Sequence, residues 1–364
     1  MNTNVYELFK MASSHKFSTE SVLFCKKFLQ KNGTPKYVLG RNVYTRALCK
    51  IIPLDGVIDD FTNASLFCDI PIVKMINIPK NAMVINAAGG RTIQAKKRLD
   101  SLGVQNIDYF KFLKITRLKL PNIVFNENFD NEFLSNISRY QWLFDIIQDK
   151  YSLLLLYNLL LFRLTYDLAF LESIYIDPSK QYFEDFLKIS HFGEVFVDAG
   201  GFKGETSIYF ASNYPNYRSI HLFEPNTDNY LECTKNLQKY PNIHCYPVGL
   251  YNKQKHSCFS NKESASHVSD YGDTIVKLDL LDNILTEDPT YIKMDIEGSE
   301  INALQGSRKI IKRSKCKLAV SAYHRPGDYW KIPDLILSLH DKYEIKIRHY
   351  SESIYETVMY FLPK

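Results

Sequence analysis

Two phosphate-binding signatures are missing from these 364 residues. No Gly-x-Gly-x-x-Gly occurs, and GGFKGETS does not complete Gly-x-x-x-x-Gly-Lys-Ser/Thr, so a dinucleotide fingerprint and a P-loop are both excluded. Also lacking is an apolar run of membrane length. The longest, Leu153 to Phe162, is about half the roughly 20 residues a span needs. It reads as a buried helix or a subunit interface, which is compatible with a homodimer. Lysines are scattered and the net charge of +5 is small for this length, so no nucleic-acid groove is indicated. The seven cysteines (Cys25, Cys49, Cys68, Cys233, Cys245, Cys258, Cys316) form no C-x-x-C pair and no zinc spacing. They read as reduced thiols in a cytoplasmic setting. Met1 to Lys16 lacks the basic start and apolar run of a signal peptide. The length allows two domains or more.

What is present centres on VFVDAGGFKGETS, Val195 to Ser207. Apolar residues lead into Asp198. A bend rich in glycine (Gly200, Gly201, Gly204) follows, and then a segment able to start a helix. Strand, tight turn and helix N-terminus form the unit on which nucleotide-type cofactors dock. A pyrophosphate loop keeps negative side chains away, whereas here Asp198 and Glu205 flank the glycines. S-adenosylmethionine carries an ammonium and a sulfonium and no phosphate, so it suits this loop better than NAD or ATP. The spacing Asp198-x-Gly200-x-x-x-Gly204, continued by Thr206, matches the glycine motif of Rossmann-like methyltransferases. The next strand, SIHLFEP, ends at Glu224, roughly 20 residues on, where a carboxylate bonds the ribose hydroxyls of an adenosine cofactor.

The first ~115 residues alternate between strand and helix. Strands are expected at Lys36–Gly40, Gly56–Asp59, Ala82–Gly90 and Asn106–Phe110, with helices near Phe17–Asn32, Asn42–Ile52 and Thr92–Leu102. That pattern predicts a small parallel sheet, a reduced Rossmann-like unit over 1–115. Gly40 and the pair Gly89-Gly90 either hold a nucleotide or sugar-nucleotide or only turn strand into helix. A helical bridge is expected over 116–190, with helices at Ser138–Asp149 and Tyr151–Glu172. Tyr182 reads as core packing, with a role covering the cofactor as the alternative.

The third segment spans 191–364. IHCYPVGL, Ile243 to Leu250, reads as its third strand, with Gly249 near the adenine. Lys255 to Leu278, interrupted by SASHVSDYGD, reads as an inserted β-hairpin whose Ser and His residues serve the turns. TYIKMDIEGSE ends a buried strand at Asp295 and Glu297, and KLAVSAYHRPGDYW ends another at Tyr323, His324 and Arg325. In an open parallel sheet these ends share one ligand crevice with Asp198 and Glu224. The chain closes on an expected antiparallel pair, YEIKIRHY and TVMYFL.

VFVDAGGFKGETS, LFEP, YIKMDIEGSEINALQG, AYHRPGDYWKIP and the closing IRHY…ETVMYF together resemble the FkbM family of S-adenosylmethionine-dependent methyltransferases, over roughly Gln181 to Leu362. The resemblance implies an α/β fold with a mostly parallel sheet of about seven strands. The N-terminal half resembles the extra Rossmann-like region of some bacterial members. One departure stands out: where the family often has Asn in the glycine loop, this chain has Phe202. By resemblance the reaction is methyl transfer to an oxygen, the acceptor being a sugar hydroxyl in bacterial polysaccharide or glycoconjugate synthesis, with a nucleotide sugar among the candidate substrates.

Methyl transfer needs an aligned acceptor and a base for its proton. His324 is the first candidate for base, since imidazole titrates near neutrality. Asp295 is read as orienting the acceptor or favouring the sulfonium, and Glu297 as binding a sugar hydroxyl. Arg325 and Tyr323 are candidate substrate contacts, Arg325 for an anionic group. The cofactor set is Asp198, Gly200, Gly201, Gly204, Thr206, Glu224, Gly249 and Asp295. No metal is assigned, because ligand spacing is lacking, although Asp295, Glu297, Glu300 and His324 could converge. Two other classes stay open. A non-catalytic sugar-nucleotide module sits poorly with an intact Asp198, Glu224 and Asp295. A nicotinamide-dependent oxidoreductase acting on nucleotide sugars lacks its phosphate loop.

Overall fold

The computed structural model describes residues 4–262, 265–269 and 274–364. Its N-terminal sheet is built from β1 (Lys36–Leu39), β2 (Gly56–Ile58), β3 (Leu66–Phe67), β4 (Ile70–Val73), β5 (Met83–Asn86) and β6 (Gln105–Asp108), in the order β3-β4-β2-β1-β5-β6. Every pairing is parallel except β3 with β4. Four of these strands fall where the apolar runs put them. The β3–β4 pair was not anticipated. It is largely half-exposed and contains Pro71, which offers no N–H to a ladder and so leaves no strand signal.

Asp108 ends β6 and caps the helix Tyr109–Thr116, its Oδ1 accepting from Lys111 N at 2.8 Å. Burial pushes its pKa up to about 6. Ionisation therefore costs free energy in the folded chain only, and stability falls as pH climbs from about 4 to about 6. Asp108→Asn keeps an acceptor for Lys111 N–H and cannot ionise. We expect it to stabilise the protein by about 1–3 kcal/mol at about pH 8, with no gain near about pH 4, in urea unfolding. Equal stability of the two proteins at both pH values would refute the assignment.

Helices at Phe129–Ser135, Ile137–Ile146, Lys150–Thr165 and Ala169–Glu172 follow. The helical pattern ends there. Expected as helical to residue 190, the chain instead makes two short 3-10 turns, Pro178–Lys180 and Asp185–Leu187, because Tyr182 and Lys188 take left-handed backbone angles that break a helix. The apolar run Leu153–Phe162 lies inside Lys150–Thr165, with Leu155, Leu156, Leu159, Leu160, Leu161 and Phe162 fully buried. It is a core helix, and that removes the reason for reading it as a subunit interface. One apolar cluster runs from Val5 through this helix to Phe361, so the two large sheets share a core. No helix among the described residues is long and apolar enough to cross a membrane.

The C-terminal sheet comprises β7 (Val195–Ala199), β8 (Ser219–Phe223), β9 (Ile243–Tyr246), β14 (Tyr291–Met294), β15 (Lys317–Ser321), β16 (Tyr343–His349) and β17 (Thr357–Pro363). Their order is β16-β17-β15-β14-β7-β8-β9, and only β17 runs antiparallel to its neighbours. The connections reverse direction beside β7, which places a crevice at the carboxyl ends of β7, β8 and β14. IHCYPVGL is not one strand. Pro247 interrupts it, and β10 (Gly249–Leu250) joins a separate sheet with β11 (Lys255–Lys262), β12 (Ala265–Ser269) and β13 (Thr274–Asp279), ordered β10-β13-β11-β12. The insertion is thus a hairpin with a third strand returning along it. The reading of SASHVSDYGD as turn chemistry is corrected for Ser266, His267 and Ser269, which lie in β12 paired with β11, and the rest of it lies outside the described residues.

Candidate active site

The backbone of the glycine turn explains its composition. Gly200 has φ +79°, and a Cβ there would lie 1.8 Å from Asp295 O, so β7 and β14 can meet at their ends only through a glycine. Phe202 takes φ +46°, a region that suits the Asn common in the resembled loops better than an aromatic residue. Its N–H donates to Glu224 Oε2 at 2.9 Å, and Asn226 N donates to Glu224 Oε1 at 2.8 Å. Glu224 is thereby held at the end of β8 with its carboxylate at the crevice. Burial raises its pKa, against those two backbone donors.

A cavity of about 410 Å³ opens at this edge. Gly200, Phe202, Glu224, Gly249, Asp295, Glu297, Tyr323 and Glu356 line it, and Phe223, Pro225, Leu250 and Leu278 supply apolar wall. A larger cavity, about 1090 Å³, lies between the N-terminal helices and touches none of these strand ends.

Several expected site residues do other work. Asp198 is fully buried, with Oδ1 3.0 Å from Lys293 Nζ and Oδ2 accepting from Ser207 Oγ at 2.7 Å. It does not line the cavity, because its charge is needed to pair an equally buried lysine. Lys293 Nζ also donates to Gly200 O at 2.7 Å and Ala199 O at 3.3 Å, and so fixes the turn from behind. Gly201 and Gly204 face Leu222 and Leu237, where they admit the packing of β8 and of the helix Thr227–Leu237. Thr206 does not line the cavity either. Arg325 braces a turn, its Nε donating to Gly298 O at 2.6 Å, and is not presented to an anion in the cavity.

His324 requires the largest revision. Its side chain has no exposed surface and does not line the cavity. Nδ1 lies 3.0 Å from Glu300 Oε1, and Nε2 lies 3.4 Å from Glu297 Oε2 and 3.6 Å from Asp295 Oδ1. Burial alone would lower its pKa, but Glu300, Glu297 and Asp295 outweigh burial and hold it well above the ordinary value. Enclosed and without a face on the cavity, His324 is not placed to take the acceptor's proton.

Glu356 is the residue that sequence reasoning missed. It sits in the loop between β16 and β17, lines the cavity beside Asp295, and accepts from Gln181 Nε2 at 2.5 Å. Burial and then the nearby charge of Asp295 push its pKa up to about 7, against Gln181 and His324. Tyr182 is buried, and its hydroxyl donates to Asp295 Oδ2 at 2.8 Å, which orients that carboxylate from the core side. Arg163, fully buried, holds the Tyr323 and Ile354 carbonyls at 3.2 and 3.3 Å and ties the long helix to both site loops.

Residues 198–351 match a family model described as the methyltransferase FkbM domain. S-adenosylmethionine is the usual methyl donor of that family. The whole chain is similar in fold to the crystal structure of methyltransferase FkbM from Methylobacillus flagellatus KT, with 22% identity, 98% of each chain covered and a TM-score of 0.76. An rRNA methylase from Streptococcus thermophilus overlaps 50% of this chain and 92% of its own, at 16% identity and a TM-score of 0.34. No curated protein matches the chain. Within the matched residues lie the glycine turn, Glu224, Asp295, Glu297 and His324, whereas Glu356 lies just beyond them.

Proposed function

We propose that this methyltransferase transfers the methyl group of S-adenosylmethionine to a hydroxyl, the acceptor being a sugar or nucleotide sugar in bacterial surface polysaccharide or glycoconjugate synthesis, within a cytoplasmic setting. The observation that carries the reading is the cavity's lining: Glu224 at the end of β8, an apolar wall, and the carboxylates of Asp295, Glu297 and Glu356. About 410 Å³ is a size that adenosine-type ligands occupy. The carboxylates in that lining favour a cationic sulfonium and ammonium over a phosphate. The division into 1–115, 116–190 and 191–364 is kept as our proposal for domain limits.

Glu224 would accept from the ribose hydroxyls, and Pro225, Leu250 and Leu278 would bracket the base. Bound there, the donor would supply an electrophilic methyl group to the acceptor oxygen's lone pair, with the sulfonium as leaving group. Glu356 takes the hydroxyl proton. Asp295, held by Tyr182, orients the acceptor, and Glu297 reaches a second hydroxyl.

Glu224→Ala should weaken S-adenosylmethionine binding by about 1–3 kcal/mol, since ribose donors lose their acceptor. It should also lower the melting temperature, because Phe202 and Asn226 N–H lose theirs. Unchanged affinity would remove Glu224 from the site. The reaction itself is tested with isotopically labelled S-adenosylmethionine and a panel of nucleotide sugars. Label recovered as an acid-stable O-methyl ether supports the proposal, and label on nitrogen or carbon only would contradict it.

A further inference from the structure

Behind the cavity wall lies a group of side chains that methyl transfer does not itself require. Asp295, Glu300 and His324 each place one donor atom within 4.8 Å of the others. Glu300 is 1% and His324 5% exposed. Asp295 Oδ1, Glu300 Oε2 and both ring nitrogens of His324 are enclosed and lack any partner of hydrogen-bond geometry. Their neighbours bond elsewhere: Asp295 Oδ2 takes Tyr182 OH, and Glu300 Oε1 takes Ile296 N at 2.9 Å. Phe125 stands edge-on to the imidazole at 5.0 Å between ring centroids, and Tyr323 covers it at 4.0 Å.

Orphaned buried polar atoms are costly, and native structures rarely leave four in one place. A proton on His324 cannot answer all of them. One imidazolium faces three carboxylates. A cation held between the carboxylates and one ring nitrogen satisfies three of the orphans, and leaves the other ring nitrogen as an N–H donor toward a neighbouring carboxylate. Oxygen donors with one imidazole suit a divalent ion of hard to borderline character, Mn²⁺ or Mg²⁺ before a thiol-seeking metal.

We propose that Asp295, Glu300 and His324 bind a divalent cation, with Glu297 completing the set from the cavity side. The ion site stands on this geometry alone. Its chemical use rests on the function proposed above: Asp295 belongs to both the cluster and the cavity wall, so the ion lies where it can bind the acceptor oxygen and acidify the hydroxyl before Glu356 removes its proton.

The test is titration of the chelator-stripped, full-length protein with MnCl₂, followed by the loss of the free-ion signal in electron paramagnetic resonance. We expect one Mn²⁺ per chain, with affinity lowered on the order of tenfold or more in Asp295→Asn and in His324→Ala. Asp295→Asn keeps an acceptor for Tyr182, so it guards against a variant that merely unfolds, and melting curves check both. No uptake of Mn²⁺ at millimolar concentration, with no melting shift from Mg²⁺ or Zn²⁺, overturns the proposal. Uptake that both variants retain places the ion elsewhere and overturns it equally. S-adenosylmethionine titrated into the same stripped sample separates the two readings: cofactor binding without Mn²⁺ uptake sinks the ion site alone, and Mn²⁺ uptake without cofactor binding sinks the cofactor assignment alone.

Discussion

Lys293→Met destabilises the protein by about 3–5 kcal/mol, because it strands the Asp198 carboxylate in the core without a counter-charge. Asp198 is fully buried and Lys293 is 3% exposed, so water cannot replace the lost ammonium. Burial opposes the charge on Lys293, yet Asp198 first and Asp295 second raise its pKa above the ordinary value. The cost has a second part. Gly200 O and Ala199 O lose their donor, and the glycine turn loosens at the mouth of the cavity. The double variant Asp198→Asn/Lys293→Met should recover most of the loss, since no lone charge remains. Urea unfolding of the variants beside the parent at neutral pH measures this. A single variant within about 1 kcal/mol of the parent would mean the pair contributes as little as an exposed one.

Glu356→Gln lowers turnover by about 10²–10⁴-fold while leaving S-adenosylmethionine affinity nearly unchanged. The substituted amide keeps the size of the side chain and an acceptor for Gln181, so the loop between β16 and β17 should hold its shape. What disappears is the ability to take a proton. The loss therefore falls on kcat rather than on binding. Glu356→Asp, which shortens the reach, should retain more turnover than Glu356→Gln. Full activity in Glu356→Gln would dismiss it as the base and return attention to Asp295 and Glu297.

Much of this arrangement was legible in the chain. Strand–turn–helix units are local, and the apolar runs into Asp198, Glu224 and Asp295 put three strand ends on one edge. The glycine at 200 was readable for the same reason: a bend between a buried strand and a helix requires it. What a side chain does at that edge was harder to read, because it depends on partners distant in sequence. Asp198 looked like a ligand group until its partner, Lys293, was placed beside it. A lysine between Ile292 and Met294 in a buried strand does carry that signal, since it demands an acid nearby. His324 looked like a base because the residues that enclose it, Asp295, Glu297 and Glu300, follow a different strand, β14. Glu356 left no pattern at all. It stands in an irregular connection, and only the antiparallel return of β17 brings it against Asp295.

The central claim is that the carboxyl edge of β7, β8 and β14 binds S-adenosylmethionine. Isothermal titration of the purified protein with S-adenosylmethionine, S-adenosylhomocysteine and NADH tests it most directly. Micromolar binding of the first two and none of NADH is the expected result. Binding of NADH alone would contradict it.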